Sequence, residues 1–148
     1  MNLQYSGEEQ IPVGFDAVWT FVTDPGKVGH CFPEVADVTL LDATHFEAVV
    51  KVGVGPVRGK FKLKVELMPD LSKRRIDMKM SGGGFGSTVD LTAGADIADA
   101  GDGTTLLKWS GRSEARGPIA AVGGRVLDAQ AQKLIAQAFG NVRQKLSA

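Results

Sequence analysis

The chain reads VKVGVGPVRGKFKLKVEL over residues 50–67. Every other residue in the second half of this stretch is apolar: Phe61, Leu63, Val65 and Leu67. Because successive side chains of a strand point to opposite faces, the alternation predicts a β-strand with one buried and one solvated face. The preceding Gly55-Pro56 predicts a tight hairpin. A phosphate loop is disfavoured, because the Gly-x-x-x-x-Gly-Lys-Ser/Thr spacing is absent and no helix follows.

The same alternation extends on both sides of this stretch, from about residue 35 to residue 115. Turn-forming residues separate the segments at Pro69-Asp70, at residues 82–84 and at residues 99–103. Short connections imply antiparallel neighbours, and a sheet that is apolar on one face must be covered on that face. We therefore expect about six antiparallel strands here, in addition to a first strand that ends at Pro12.

Apolar residues at helical spacing flank the predicted sheet. Phe15, Val18, Trp19 and Val22 predict a short helix, followed by a further helical turn before residues 31–33. Gly117-Pro118 is typical of a helix start, and the apolar stripe behind it predicts one helix of about 28 residues. That stripe consists of Ile119, Val122, Val126, Leu134, Ala138 and Val142. The predicted fold class is α+β, a curved seven-stranded antiparallel sheet around a long C-terminal helix, with two short helices after strand 1.

Composition narrows the range of functions. A chain of 148 residues favours one domain over residues 1–148. The 17 basic and 17 acidic residues leave no net field that would attract nucleic acid. One cysteine and two histidines are too few for a disulfide framework or a convincing metal site. There is no apolar run of about 18 residues and no signal-peptide pattern, so we expect a cytoplasmic protein.

Two motifs carry a resemblance to a known family. Residues 50–61 resemble the signature Val-Lys-Val-Gly-x-Gly-Pro-x-Lys/Arg-Gly-x-Phe of the carbon monoxide dehydrogenase G-subunit (CoxG) family. Cys31-Phe32-Pro33 resembles that family's Cys-x-Pro-Gly motif, with Glu34 in place of the glycine. The likeness covers nearly the whole chain. It implies the helix-grip fold of the START-like (SRPBCC) superfamily, in which a curved sheet grips the last helix over a deep apolar cavity.

The resemblance also implies a function. CoxG-like proteins are non-catalytic accessory proteins of molybdenum hydroxylases of the CO dehydrogenase type, without a tightly bound cofactor. The family is associated with a lipid or quinone in the cavity and with recruitment of the enzyme to the inner face of the cytoplasmic membrane. Two alternatives remain open at this point. One is an enzyme of the cyclase or hydrolase type that acts on a small hydrophobic substrate. The other is a structural adaptor whose core is full.

A cavity is expected because small residues of the last helix, such as Ala120, Gly123, Gly124 and Ala131, face large residues of the sheet. Unfilled core space is costly unless a ligand or water occupies it. The alternative is that aromatic side chains close the core completely. The residues expected to line the cavity are Phe32, Val52, Phe61, Leu63, Met78, Met80, Val89, Leu91, Leu107, Trp109, Val122 and Val126.

Two glycine-rich tips are candidate docking surfaces for a partner protein. The first contains Gly55, Pro56 and Arg58, and the second presents Phe85 within residues 82–86. Both could equally be simple flexible turns.

We assign no catalytic and no metal-binding residue from the sequence. His30 and Cys31 suggest a nucleophilic pair, but adjacent side chains usually point apart and no third orienting group is evident. Cys31 is therefore expected to be a partly buried packing residue. His45 is expected to be a surface residue at the start of a strand.

Overall fold

The computed structural model describes residues 1–147. The strands are β1 (Asn2–Ile11), β2 (Val35–Leu40), β3 (His45–Val54), β4 (Val57–Asp70), β5 (Arg75–Gly84), β6 (Ser87–Gly101) and β7 (Thr104–Arg116). The helices are α1 (Phe15–Val22), α2 (Pro25–Gly29), α3 (Pro118–Ala121) and α4 (Gly124–Leu146). A short 3-10 turn, Leu71–Lys73, joins β4 to β5.

The seven strands form one antiparallel sheet in the order β1-β7-β6-β5-β4-β3-β2. Strands β2 to β7 lie side by side in chain order, and β7 also pairs with the first strand, β1. In the β3–β4 hairpin Val54 faces Val57 across the two-residue loop, as the sequence predicts. Helices α1 and α2 connect the two edge strands, and the long α4 packs across the concave face of the curved sheet. This arrangement confirms the predicted helix-grip fold.

The single C-terminal helix of about 28 residues is a wrong prediction. The chain breaks at Gly123, whose φ of +98° lies in a region that favours glycine, and this divides the segment into α3 and α4. The break changes the phase of the apolar stripe. Val126, predicted to face the sheet, is 45% exposed, and Leu127 is the buried residue of that turn. Gly123 thus lies between two helices and not in the middle of one.

The cluster at residues 82–84 is a second difference from the sequence prediction, which placed it in a loop. These glycines belong to β5, and the turn consists of Phe85 and Gly86 alone. A Cβ on Gly82 would lie 2.0 Å from the Lys62 carbonyl oxygen, and one on Gly83 would lie 2.0 Å from the Ser87 carbonyl oxygen. The glycines therefore allow backbone of β4 and β6 to approach β5 more closely than any side chain permits.

Glu34 departs from the glycine of the Cys-x-Pro-Gly motif, and the structure shows the consequence. Its φ is +57°, a left-handed conformation that glycine adopts without steric cost. The backbone at this position therefore follows the geometry that a glycine would favour, and the glutamate accepts the strain.

Candidate functional site

The buried core of the protein is divided into two clusters. One lies where α1 and α2 meet the sheet, and the other lies beneath α3 and the β3–β4 hairpin tip. The first contains Ile11, Val18, Phe46, Ala48, Val65, Leu67, Ile76, Ile97 and Leu107. The second contains Val54, Val57, Phe61, Leu63, Ala115, Ile119 and Leu127.

Between the clusters the concave face is apolar but incompletely covered. Leu91, Ala93 and Trp109 are partly exposed and belong to neither cluster. Phe32 and Met80 pack against both clusters. Apolar side chains that remain partly exposed on this face are candidates for contact with a hydrophobic molecule. We call the region around Leu91, Ala93 and Trp109, between the sheet and α4, the cleft.

The twelve residues predicted to line a cavity differ in burial and in the cluster to which they belong. Phe61, Leu63 and Leu107 are buried within the clusters and are core residues. Leu91 and Trp109 line the cleft itself. Six others are partly buried and pack against the clusters: Phe32, Val52, Met78, Met80, Val89 and Val122. Val126 is exposed and is the residue whose predicted placement toward the sheet is wrong.

Polar contacts hold α4 over the cleft on both sides. On the β1 side Tyr5 donates a hydrogen bond to Asp128 Oδ1 at 2.5 Å. Farther along the helix, Arg143 pairs with Glu9. On the α2 side Asn141 donates to the Cys31 carbonyl oxygen at 3.1 Å. The helix is thus fixed at its edges by side-chain contacts, while its middle lies above apolar residues.

The pKa of Tyr5 reports on its contact with Asp128. Its partial burial and its bond to the Asp128 carboxylate raise its pKa to about 12. Since Tyr5 is the single tyrosine of the chain, absorbance of tyrosinate near 295 nm follows this residue alone. We expect titration near pH 12 in the native protein and a pKa closer to the ordinary value of about 10 in Asp128→Asn.

The direction of this pKa shift determines how the stability of the folded state changes with pH. The folded state holds the tyrosine proton more tightly than the unfolded state does, so this contribution to stability is complete below about pH 10. It is lost as the pH rises toward 12. A native titration midpoint near pH 10 would contradict the Tyr5–Asp128 contact.

Cys31 and His30 do not form a nucleophilic pair. The cysteine is more deeply buried than predicted, at 3% exposure, and burial raises the pKa of its thiol. The His30 ring is exposed and bonds through Nδ1 to the Gly26 carbonyl oxygen at 2.7 Å. A thiol with a raised pKa and no base beside it is a packing residue, not an activated nucleophile.

The two predicted docking loops come together at one end of the molecule. Pro56, Arg58 and Phe85 line a groove of about 300 Å³ together with Pro118 and Ala121 of α3. The Phe85 side chain is 61% exposed and lies over Gly59, where a Cβ would stand 2.0 Å from its ring. Gly55 adjoins the groove and has a φ of +56°. We call this region the tip groove.

The turn that presents Phe85 has an unusual residue for its backbone conformation. Phe85 and Gly86 are the two turn residues between β5 and β6, with φ of +56° and +77°. Turns with two left-handed residues strongly favour asparagine, aspartate or glycine, and a bulky side chain there is an outlier. Backbone strain of this kind is maintained chiefly at functional positions. It therefore supports a role for the exposed ring.

A second groove, of about 390 Å³, lies on the outer face of the sheet and was missed in the sequence. His45 lines it, with Nδ1 2.8 Å from Asp42 Oδ1 and Nε2 3.4 Å from Glu66 Oε2. The hydrogen bond to Asp42 raises the pKa of His45. The register of β3 on β4 places His45 opposite Glu66, which an analysis of single strands does not show. His45 is a surface residue, as predicted, but one with two acidic partners.

Two further properties bear on function. Within residues 1–147, no group of three or more His, Cys, Asp or Glu side chains is arranged to hold a metal ion. None of the helices described in that range is long and apolar enough to cross a membrane.

Comparisons with known proteins identify the relatives of this chain. The family model for the carbon monoxide dehydrogenase G-subunit (CoxG) matches residues 7–147. A search of curated proteins finds no match. Among solved structures, a conserved protein from Geobacillus kaustophilus is similar with a TM-score of 0.88 and 22% identity, over 98% of this chain and 95% of that one.

Two other solved structures share this fold. A START superfamily protein from Mycobacterium smegmatis has a TM-score of 0.75 and 13% identity, over 97% of each chain. The Zhui aromatase/cyclase from Streptomyces sp. R1128 has a TM-score of 0.71 and 14% identity, over 99% of this chain and 94% of that one. At these identities the likeness shows the START-like fold alone.

Proposed function

The chain belongs to the carbon monoxide dehydrogenase G-subunit (CoxG) family, and from that premise we propose that it is a non-catalytic accessory protein that holds a hydrophobic ligand in the cleft. Family and fold support a hydrophobic-ligand-binding accessory role. The finer proposal is that the ligand is a lipid or a quinone. It also includes a molybdenum hydroxylase of the CO dehydrogenase type as the partner, recruited by this protein to the cytoplasmic membrane.

The observation that carries the ligand-binding proposal is the incompletely covered strip of Leu91, Ala93 and Trp109 between two well-packed clusters. Met78 and Met80, at the margin of this strip, are unbranched side chains that can adapt to an isoprenoid or acyl chain. Interior apolar surface that its own chain leaves partly open is the expected form of a pocket for such a ligand.

The polar groups on the concave side favour binding over catalysis. Tyr5 and Glu9 are the ionisable residues of β1 whose side chains meet α4, and each is engaged there, with Asp128 and Arg143 respectively. A general acid or base must be able to reach the substrate, whereas these groups are used to position the helix. The similarity to an aromatase/cyclase is one of fold and supplies no catalytic residue here.

Native mass spectrometry of protein purified from cells tests the ligand half of the proposal. We expect an adduct that organic extraction releases as a lipid or quinone. Apo protein that also fails to take up added ubiquinone-1 or a fatty acid would contradict it.

The tip groove is the surface that we propose for docking the enzyme. An exposed aromatic ring beside an arginine is a common combination at the centre of protein interfaces. We expect Phe85→Ser and Arg58→Glu each to weaken capture of the hydroxylase by roughly tenfold or more in a pull-down, in line with interface positions of this type. Both side chains are exposed, so the free energy of unfolding should change little.

Leu71→Ser is the matched control, because Leu71 is also an exposed apolar residue, at 59%, on the turn between β4 and β5. Unchanged capture by both tip variants would exclude the tip groove as the docking surface. Loss of capture together with an unchanged bound ligand would show that docking and ligand binding are separate activities.

A further inference from the structure

Trp109 carries a hydrogen-bond donor without an acceptor. Among residues 1–147, its Nε1 is the single buried side-chain nitrogen or oxygen atom that lacks a hydrogen-bond partner. An unsatisfied buried donor destabilises a protein, and native proteins avoid it almost everywhere. The other buried side-chain nitrogen and oxygen atoms of residues 1–147 follow that rule, so the exception at Trp109 calls for an explanation.

The indole is held firmly in this position. It lies over Gly7 of β1, where a Cβ would be 3.0 Å from Cζ2 and 3.1 Å from Nε1. The Phe139 ring of α4 packs on it with a centroid separation of 5.4 Å. Glycine at position 7, directly opposite Trp109 in the β1–β7 register, is what allows the ring to lie against the strand. The N–H group is therefore fixed between β1 and α4 by packing on both sides.

The polar side chains nearest along β1 bond to α4 and do not accept from the indole. The Tyr5 hydroxyl bonds to Asp128 Oδ1, and Glu9 pairs with Arg143. Residues across from Trp109 and Tyr5 on the neighbouring strands are small and without polar side chains, namely Ala95 and Gly111. The protein thus keeps an indole donor beside an apolar cleft and offers it no acceptor of its own.

We propose that Trp109 is a specificity-determining residue of the cleft, whose Nε1–H donates to an oxygen acceptor on the bound ligand. This inference rests on the proposed ligand-binding function and adds the chemical class: an apolar molecule that carries a carbonyl or a similar acceptor, in preference to a plain hydrocarbon. Nε1 is covered in the free protein, so the proposal requires that the Phe139 ring, which packs on the indole, moves aside when the ligand binds. Only a ligand with an acceptor recovers the cost of the unsatisfied donor.

NMR of the indole N–H groups tests this inference. The chain has two tryptophans, so two indole signals are expected, and Trp19→Phe identifies the one from Trp109. The matched probes are menadione and 2-methylnaphthalene, which share a ring system and differ in two carbonyl oxygens. We expect menadione to shift the Trp109 indole proton downfield, while 2-methylnaphthalene leaves it without that shift.

Affinity provides a second, independent readout. Trp109→Phe should weaken menadione binding by about tenfold, the equivalent of one hydrogen bond. Its effect on 2-methylnaphthalene should be much smaller. Methyl signals of Leu91 and Met80 report whether either probe occupies the cleft.

Three results are distinguishable. If both probes move the methyl signals and only menadione shifts the indole proton downfield, the inference is supported. If both probes move the methyl signals but affect the indole proton alike, the role of Trp109 is excluded while ligand binding stands. If neither probe perturbs the cleft, the proposed function fails and this inference fails with it.

Discussion

Replacing Ala93 with phenylalanine will abolish binding of the hydrophobic ligand while the protein remains folded. Ala93 lies on the concave face of β6, opposite Met78 on β5 and Gly111 on β7. It is partly exposed and belongs to neither core cluster. A phenyl ring at this position fills the cleft from within, so the ligand has no apolar surface left to cover. We expect affinity to fall at least tenfold, about 1.4 kcal/mol or more.

Ala98→Phe is the matched control for this substitution. Ala98 lies on the same strand, but its side chain points to the outer face and is exposed. It adds the same ring to β6 without entering the cleft, and ligand binding should be unchanged. Native mass spectrometry gives bound fractions for both variants, and urea denaturation reports their stability. Full ligand occupancy in Ala93→Phe would place the ligand elsewhere and contradict the cleft as the site.

The strands of this fold could be predicted from the sequence because their chemistry is local. Phe61, Leu63, Val65 and Leu67 alternate with charged residues, and period two is a property of a single strand. All four are buried in the structure. Antiparallel pairing then follows from the short turns, as the Val54–Val57 closure of the β3–β4 hairpin shows.

The errors arose at glycines, whose backbone conformation the apolar pattern does not show. Gly123 ends α3 through a left-handed φ, which no apolar period reveals. Gly82 and Gly83 resemble a loop in the sequence, yet they belong to β5 because carbonyl oxygens of Lys62 and Ser87 approach them. Their meaning is visible only once β4 and β6 are placed on either side.

The residues of the candidate site show the same division between what a local pattern predicts and what it does not. Alternation predicts that Leu91 and Trp109 lie on one face of the sheet, and the strand register places them opposite Met80 and Ala95 on that face. Their contact with a ligand stays a prediction. Alternation could not show that Phe61, Leu63 and Leu107 are enclosed in two separate clusters, since this depends on where α3, α4 and the short helices cover the sheet. The unsatisfied Nε1 of Trp109 also depends on which side chains of α4 meet it.

Gly82→Ala will destabilise the protein by about 3 kcal/mol or more, well above the median for single substitutions. The added methyl group would lie 2.0 Å from the Lys62 carbonyl oxygen and 2.9 Å from the Lys62 carbonyl carbon. Those atoms are backbone, so relief requires β4 and β5 to separate and to lose ladder hydrogen bonds. Leu63, the residue opposite Gly82, belongs to the second buried cluster, so the separation would also disturb that core.

Gly140→Ala is the opposite case on the same chain. Gly140 lies in the interior of α4, is exposed, and has nothing within 4 Å of an added Cβ. Alanine is the better helix former, so this variant should gain about 0.5–1 kcal/mol. Urea midpoints at constant m-value compare the two variants directly. A midpoint for Gly82→Ala close to that of the native protein would mean that β5 is not held against β4 by backbone contact.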